Sequence, residues 1–285
     1  MEKTVGHEVK ISKKAYVKVS TNKVKIKINS EQANALQTFL QSNKKEWSRP
    51  ISVSEIIDAL RKKDYDIASK ILINANNPGC YKWWATENNV NDLLKQLYGK
   101  KYNKDIFEQI KDILEYDKKT DLYCIYVGKA NDIFDRLKTH AKDIEHSTLR
   151  RTICSLINKE QITLTQINEK IDNELKKLKV QYFPLNETQR EIKERIIKNG
   201  KKFKDIELKG VETKCTLLDL EYFIINENFH ILNVDENHYA NYQHKIKHTS
   251  NEKITHQTEE IKNMLKEKKA KWSKKSIQNL KTNKQ

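Results

Sequence analysis

The sequence predicts an α+β protein in which a few short strands are set among amphipathic helices. Two runs of strand length, Cys80–Ala85 and Leu122–Val127, are apolar or aromatic and bounded by turn residues. Between them, Ile106, Phe107, Ile110, Ile113 and Leu114 repeat with helical period on one face. Near the start, Tyr16-Val17-Lys18-Val19 and Val24-Lys25-Ile26-Lys27-Ile28 alternate on either side of Ser20-Thr21-Asn22, as in a β-hairpin with a lysine-lined face. A chain of 285 residues is long enough for one large domain or two small ones with a real core.

After the hairpin over 15–28, Ser52 and Glu55 have capping-box spacing ahead of Ile56, Ile57 and Leu60, which predicts a helix. A second helix is expected over Asp64–Asn74, and Pro78-Gly79 ends the helical region. Residues 89–118 read as helical. Gly128 punctuates the second strand, and a helix is expected to start near Asp132. Ser147 suits the cap of a further helix through Ile157. Thr163–Leu178 is amphipathic, Val180–Phe183 is a strand closed by Pro184, and Leu217–Ile225 is a largely buried helix carrying Asp219 and Glu221. From Asn251 the chain holds ten Lys against four Glu, with scattered apolar residues such as Ile261, Met264, Leu265 and Trp272. That composition suits a helical or disordered basic arm. There is no internal repeat.

A net charge of +16 directs the chain toward polyanions, because lysines that neutralise phosphates release condensed counterions. A drift toward Lys, Asn and Ile explains Lys in place of Arg. It does not explain 55 basic against 39 acidic residues. Only seven arginines occur, and Arg136, Arg150 and Arg151 fall together, which suits a phosphate site because guanidinium offers a planar fork. Cys80, Cys124, Cys154 and Cys215 stand alone, so neither a zinc ribbon nor a disulfide framework is indicated, and they read as small buried residues. His244 and His248 are four apart near His238, yet no further ligand joins them at zinc spacing. No segment has the length of unbroken apolar residues that a membrane helix needs, and Met1–Lys14 lacks a secretory apolar stretch. A cytoplasmic protein with no membrane partner is expected.

One ordered set of residues carries chemistry. Gly79-Cys80-Tyr81 lies on the first strand and Tyr126-Val127-Gly128 on the second. Arg136 follows, and His140, four residues later, shares its helix face. Glu221 sits in the apolar helix and Asn233 twelve residues beyond it. Taken singly, each has a bland structural explanation; the combination is specific. It resembles the GIY-YIG nuclease superfamily, and the Tyr126-Val127-Gly128-Lys129-Ala130 form followed by Arg136 and His140 is most similar to its restriction-endonuclease branch. The resemblance spans about 78–235. Cys80 stands where an aliphatic residue is usual, and the 45 positions between Tyr81 and Tyr126 exceed the usual short turn.

The resemblance implies a small antiparallel three-stranded sheet flanked by helices, with helical insertions and an N-terminal hairpin and helical extension. It divides the chain into 1–77, a catalytic domain at 78–240 with insertions at about 86–120 and 159–213, and a basic tail at 241–285. The implied catalytic residues are Tyr81, Tyr126, Arg136, His140 and Glu221. Glu221 would hold one Mg²⁺ or Mn²⁺ as a hard oxygen ligand, and Arg136 would clamp the scissile phosphate. Tyr81 would orient or deprotonate the attacking water, Tyr126 would hold phosphate or water, and Lys129 and Asn233 would support. A phenol is a poor base unless cations lower its pKa, and Lys129 and His140 are the candidate neighbours. Asp219 is an alternative to Glu221 on the same helix, while Asp143 and Glu145 read as exposed charges. Double-stranded DNA is the implied partner, with Arg150, Arg151, Lys268, Lys269, Lys271, Lys274 and Lys275 as backbone contacts. The residues leave a homodimer open. They also leave open a homing or repair role in place of a restriction role, and an inactive nucleic-acid-binding protein in place of an enzyme.

Overall fold

A computed structural model describes residues 28–62, 64–142, 144–157, 163–196, 202–233 and 252–270. The hairpin expected over 15–28 lies outside the described residues apart from Ile28. The fold is α+β. A five-stranded antiparallel sheet runs in the order β1-β5-β2-β4-β3. Its three long strands are β2 (Gly79–Ala85), β4 (Leu122–Ala130) and β5 (Lys179–Pro184), as the sequence led us to expect. The two-residue strands β1 (Ile51–Ser52) and β3 (Tyr116–Asp117) flank them.

Both faces of the sheet are covered, which is why β4 is an almost continuous apolar run and lacks an alternating pattern. One face presents Tyr81, Trp83, Ile125 and Tyr126 to the larger core. That core is filled from α2 (Val53–Arg61), α4 (Glu87–Tyr98), α6 (Ile133–Lys142), α7 (Thr148–Leu156) and α8 (Leu164–Lys176). The opposite face presents Cys80, Trp84, Cys124, Val127 and Phe183 to α1 (Ser30–Ser42) and α9 (Leu217–Glu227). A register shift between Trp83 and Trp84 pairs Trp83 with Tyr126 and Trp84 with Cys124. This bulge sets Tyr126 and Cys124 on opposite faces although they are two apart.

The connections follow local sequence. Short helices α3 (Tyr65–Ile71), with Asp64 capping Ile67, and α5 (Asp105–Ile110) complete the layers. Ser147 caps α7 by accepting from the Arg150 amide at 3.0 Å. Thr216 and Asp219 form a reciprocal capping box at the start of α9. The box expected at Ser52 and Glu55 is not made: Ser52 has no side-chain capping bond. Ser52 instead belongs to β1, paired with Lys179, and the chain passes from strand to helix as Val53 donates to the Leu178 carbonyl.

A second sheet, β6 (Arg190–Ile196) with β7 (Lys202–Leu208), forms an antiparallel ribbon between β5 and α9. The sequence reading placed this segment within an insertion and expected no strand there.

Of the two forms expected for the basic tail, the described part takes the helical one, and it is packed into the body. Residues Glu252–Ala270 form helix α10, and Thr258, Ile261 and Leu265 are wholly enclosed. The helix packs against α7, α5 and α4, and Lys268 donates to the Gln96 carbonyl at 3.1 Å. A chain ending near Ser250 therefore loses part of the core. Leu265→Ala is expected to cost about 2–5 kcal/mol, as for other enclosed leucines. Ending the chain at Ser250 should cost more, while ending it at Ala270 should cost little. Urea unfolding of the three chains measures this; equal stability of the Ser250 and Ala270 chains would contradict the packing.

Candidate active site

The two glycines of the paired motifs are fixed by close approach. Tyr81 on β2 pairs with Gly128 on β4, and a Cβ on Gly128 would lie 2.4 Å from the Tyr81 hydroxyl. A Cβ on Gly79 would lie 2.0 Å from the Phe183 carbonyl. Gly128 thus lets the Tyr81 ring lie across the neighbouring strand. Gly128→Ala should displace that ring and cut activity at least about 10²-fold, the scale on which small misplacements act. Cleavage at the normal rate would show that the hydroxyl position is immaterial.

The Tyr81 hydroxyl is the meeting point of the site. It is 2.9 Å from His140 Nε2 and accepts from Arg136 Nε at 3.2 Å. Tyr126 lies beside it, with the two rings tilted at 6.4 Å between centroids. Helix α6 carries Arg136 and His140 one turn apart, as their spacing predicts, and Asp132 anchors its start by accepting from the Asp135 amide. Arg136 is held further by its bond to the His146 carbonyl at 3.2 Å.

His140 is wholly enclosed, edge-on to Tyr81, Trp83 and Tyr126. Its Nδ1 lies 2.7 Å from Ser147 Oγ. Burial lowers its pKa well below the ordinary value, and Arg136 and Arg150 add to that, so the imidazole is neutral. Burial pushes the Tyr81 phenol up to about 12, opposed chiefly by the Arg136 guanidinium. The cation acting on the phenol is therefore Arg136, in place of the Lys129 and His140 expected from sequence. Ser147, legible only as a helix cap, also orients the histidine.

The ambiguity between the two acids of α9 resolves on geometry. Asp219 is engaged in the helix cap, accepting from the Thr216 amide and hydroxyl at 2.8 Å each. Glu221 is nearly enclosed, and its Oε1 accepts from the Lys129 amide at 2.8 Å. Lys129 thus supports the site through its backbone. Glu221 is close enough to raise the Tyr81 pKa and that of Arg136. A carboxylate with one oxygen fixed by an amide, in electrostatic reach of a phenol and a guanidinium, has the hard oxygen chemistry that would suit a divalent ion such as Mg²⁺. Asn233 donates to the Val127 carbonyl at 2.8 Å and accepts from its amide at 2.7 Å, two residues along β4 from the Lys129 amide that Glu221 holds. It thereby serves the edge of β4 as a strand would.

The residues expected to touch DNA separate. Arg150 is wholly enclosed, donating to Asp172 at 2.8 Å, to Asn168 at 3.0 Å and to the His140 and Ala141 carbonyls. An enclosed, paired guanidinium cannot reach a phosphate, so Arg150 is a brace between α6, α7 and α8. Arg151 is partly exposed and donates to the Glu145 carbonyl. Lys268 and Lys269 are half-buried on α10, while Lys271, Lys274 and Lys275 lie outside the described residues, as do Asp143, His238, His244 and His248.

A buried Tyr pair, an arginine fork and a carboxylate are gathered in one region, a set of groups whose chemistry suits a phosphate diester. Residues 79–254, more than half of the chain, match the family described as the GIY-YIG catalytic domain, and the chain belongs to that family. It is thus a nuclease of an endonuclease type acting on DNA, in a family that generally depends on divalent metal. No curated protein and no solved structure matches the chain. Among the described residues no helix is long and apolar enough to cross a membrane.

Proposed function

We propose that the chain is a Mg²⁺- or Mn²⁺-dependent endonuclease that hydrolyses double-stranded DNA, of the type II restriction kind. The observation that carries this is the Tyr81 hydroxyl held jointly by His140 and Arg136, with Tyr126 beside it and Glu221 in electrostatic reach. An inactive binding protein has no need of that buried, expensive arrangement, and every catalytic position is filled.

In this reading Arg136 holds the scissile phosphate through the part of its fork directed away from Tyr81. Tyr81 takes a proton from the attacking water in its phenolate form, which His140 Nε2–H holds in the tautomer whose Nδ1 accepts from the Ser147 hydroxyl. Tyr126 keeps the Tyr81 oxygen in place. Glu221 would hold the divalent ion, which would supply charge neutralisation at the leaving 3′ oxygen. A base whose pKa lies far above neutrality is still protonated at pH 7, so the rate should rise about tenfold per pH unit between roughly pH 6 and 8.5. A single-turnover pH profile checks this, and a flat profile would remove the phenol from proton transfer.

The restriction reading is supported by where the extra elements sit. Helices α4 and α5 lie between the motif strands and the β6–β7 ribbon lies between β5 and α9, while α10 packs into the body. A homodimer, bringing two such sites to two strands, is part of the proposal. Incubation with plasmid and mixed genomic DNA, followed by sequencing of the ends, tests the reading. Ends sharing one short sequence support it, one rare long site or cuts only at lesions would move it to homing or repair, and no ends at all would overturn it.

A further inference from the structure

On the sheet face opposite Tyr81, a second chemical cluster lies behind the motif strands. Cys124 of β4 is wholly buried there. Glu115 runs alongside, its carbonyl accepting from the Cys124 amide at 2.8 Å. His230, wholly buried, follows α9 and is brought in because Phe229 donates to the Ile113 carbonyl and Leu232 to the Ile125 carbonyl. One ligand atom each from Glu115, Cys124 and His230 lies within 4.8 Å of the others.

We propose that Glu115, Cys124 and His230 form a second metal site, for a zinc-type transition ion, distinct from the hard-ion site at Glu221. The donor set decides the class: thiolate and imidazole select borderline or soft ions over Mg²⁺. The geometry is close to what such an ion needs. Glu115 Oε2 is 3.7 Å from His230 Nε2, too long for a hydrogen bond and near the roughly 3.3–3.7 Å edge of a tetrahedron built from zinc–ligand bond lengths. Glu115 Oε2 is buried and makes no hydrogen bond among the described residues. The other carboxylate oxygen is already taken: Lys82 donates to Oε1 at 2.5 Å while its ammonium lies 4.7 Å from the Trp47 ring centre. Lys82 therefore orients the carboxylate as an outer partner of the ligand. With Lys82 balancing Glu115, the site is neutral while Cys124 keeps its proton. On binding, the Cys124 S–H bond breaks, one proton passes to solvent, and a metal–sulfur bond forms. A water supplies the fourth ligand, and a quarter of the Glu115 side chain reaches solvent as a path of entry. The ion ties the end of α9, the helix bearing Glu221, to the back of β4.

The test is a Co²⁺ titration of the chelator-stripped full chain. The expected result is a near-ultraviolet thiolate–cobalt absorption that saturates at one ion per chain. It should be lost in Cys124→Ser, need at least tenfold more cobalt in His230→Gln, and persist in Glu221→Gln. A missing band in excess cobalt, a band that survives Cys124→Ser, or one lost in Glu221→Gln would overturn the site. Should Cys124→Ser fail to fold, zinc-edge X-ray absorption of the zinc-loaded natural chain decides. One sulfur at about 2.3 Å with nitrogen or oxygen neighbours supports the site, and a shell without sulfur overturns it.

Discussion

Glu221→Gln is expected to slow DNA cleavage by about 10³-fold or more, because a metal-held charge contributes several kcal/mol in the transition state and each 1.4 kcal/mol is about tenfold in rate. The amide keeps the side-chain shape and can still accept from the Lys129 amide, so folding and DNA binding should stay near those of the natural chain. Asp219→Ala is the matched comparison. It removes half of the Thr216 capping box, costs about 1 kcal/mol of stability, and should leave the rate within a few-fold. Single-turnover cleavage at saturating DNA reads both. The opposite pattern, with Asp219 essential and Glu221 dispensable, would move the ligand.

Arg136→Lys should be nearly as damaging as Arg136→Ala, each lowering the rate by about 10²–10³-fold, the range seen when one oriented donor is removed from a charge-stabilising site. Arg136 reaches the Tyr81 hydroxyl and the His146 carbonyl through two different nitrogens of one plane. A lysine ammonium keeps the charge but cannot span those positions and still face a phosphate. Full activity of the lysine chain would reduce Arg136 to a general electrostatic role.

Much of the centre was legible from residue spacing. Tyr81, Tyr126, Arg136 and His140 sit on two strands and one helix whose signals are local: apolar runs bounded by glycine, and a four-residue helical interval. The choice between Asp219 and Glu221 was not legible, because it turns on which acid the Thr216 cap engages and which one β4 reaches. Arg150 was misread for a related reason. Its closeness to Arg136 in sequence suggested phosphate, whereas Asp172, twenty-two residues away, makes it a buried brace. Local reading also missed the β6–β7 ribbon, whose strands carry charged residues on both faces so that alternation is weak. Asn199-Gly200 between them was the available turn signal. The tail's composition left a helix and a disordered arm both open and did not show the packing of α10, because Ile261 and Leu265 are few but occupy one face four residues apart and are wholly enclosed. Cys124 read correctly as buried, but its neighbours Glu115 and His230 come from segments that only the sheet brings together.

The central claim is that this chain hydrolyses DNA with the site around Tyr81 and a divalent ion at Glu221. It is tested most directly by incubating the full chain with duplex DNA in Mg²⁺, and in parallel with excess EDTA, and analysing the ends. The account predicts 5′-phosphate and 3′-hydroxyl ends in Mg²⁺ and none in EDTA. Cleavage that continues unchanged in EDTA, or ends carrying a 3′-phosphate, would contradict it.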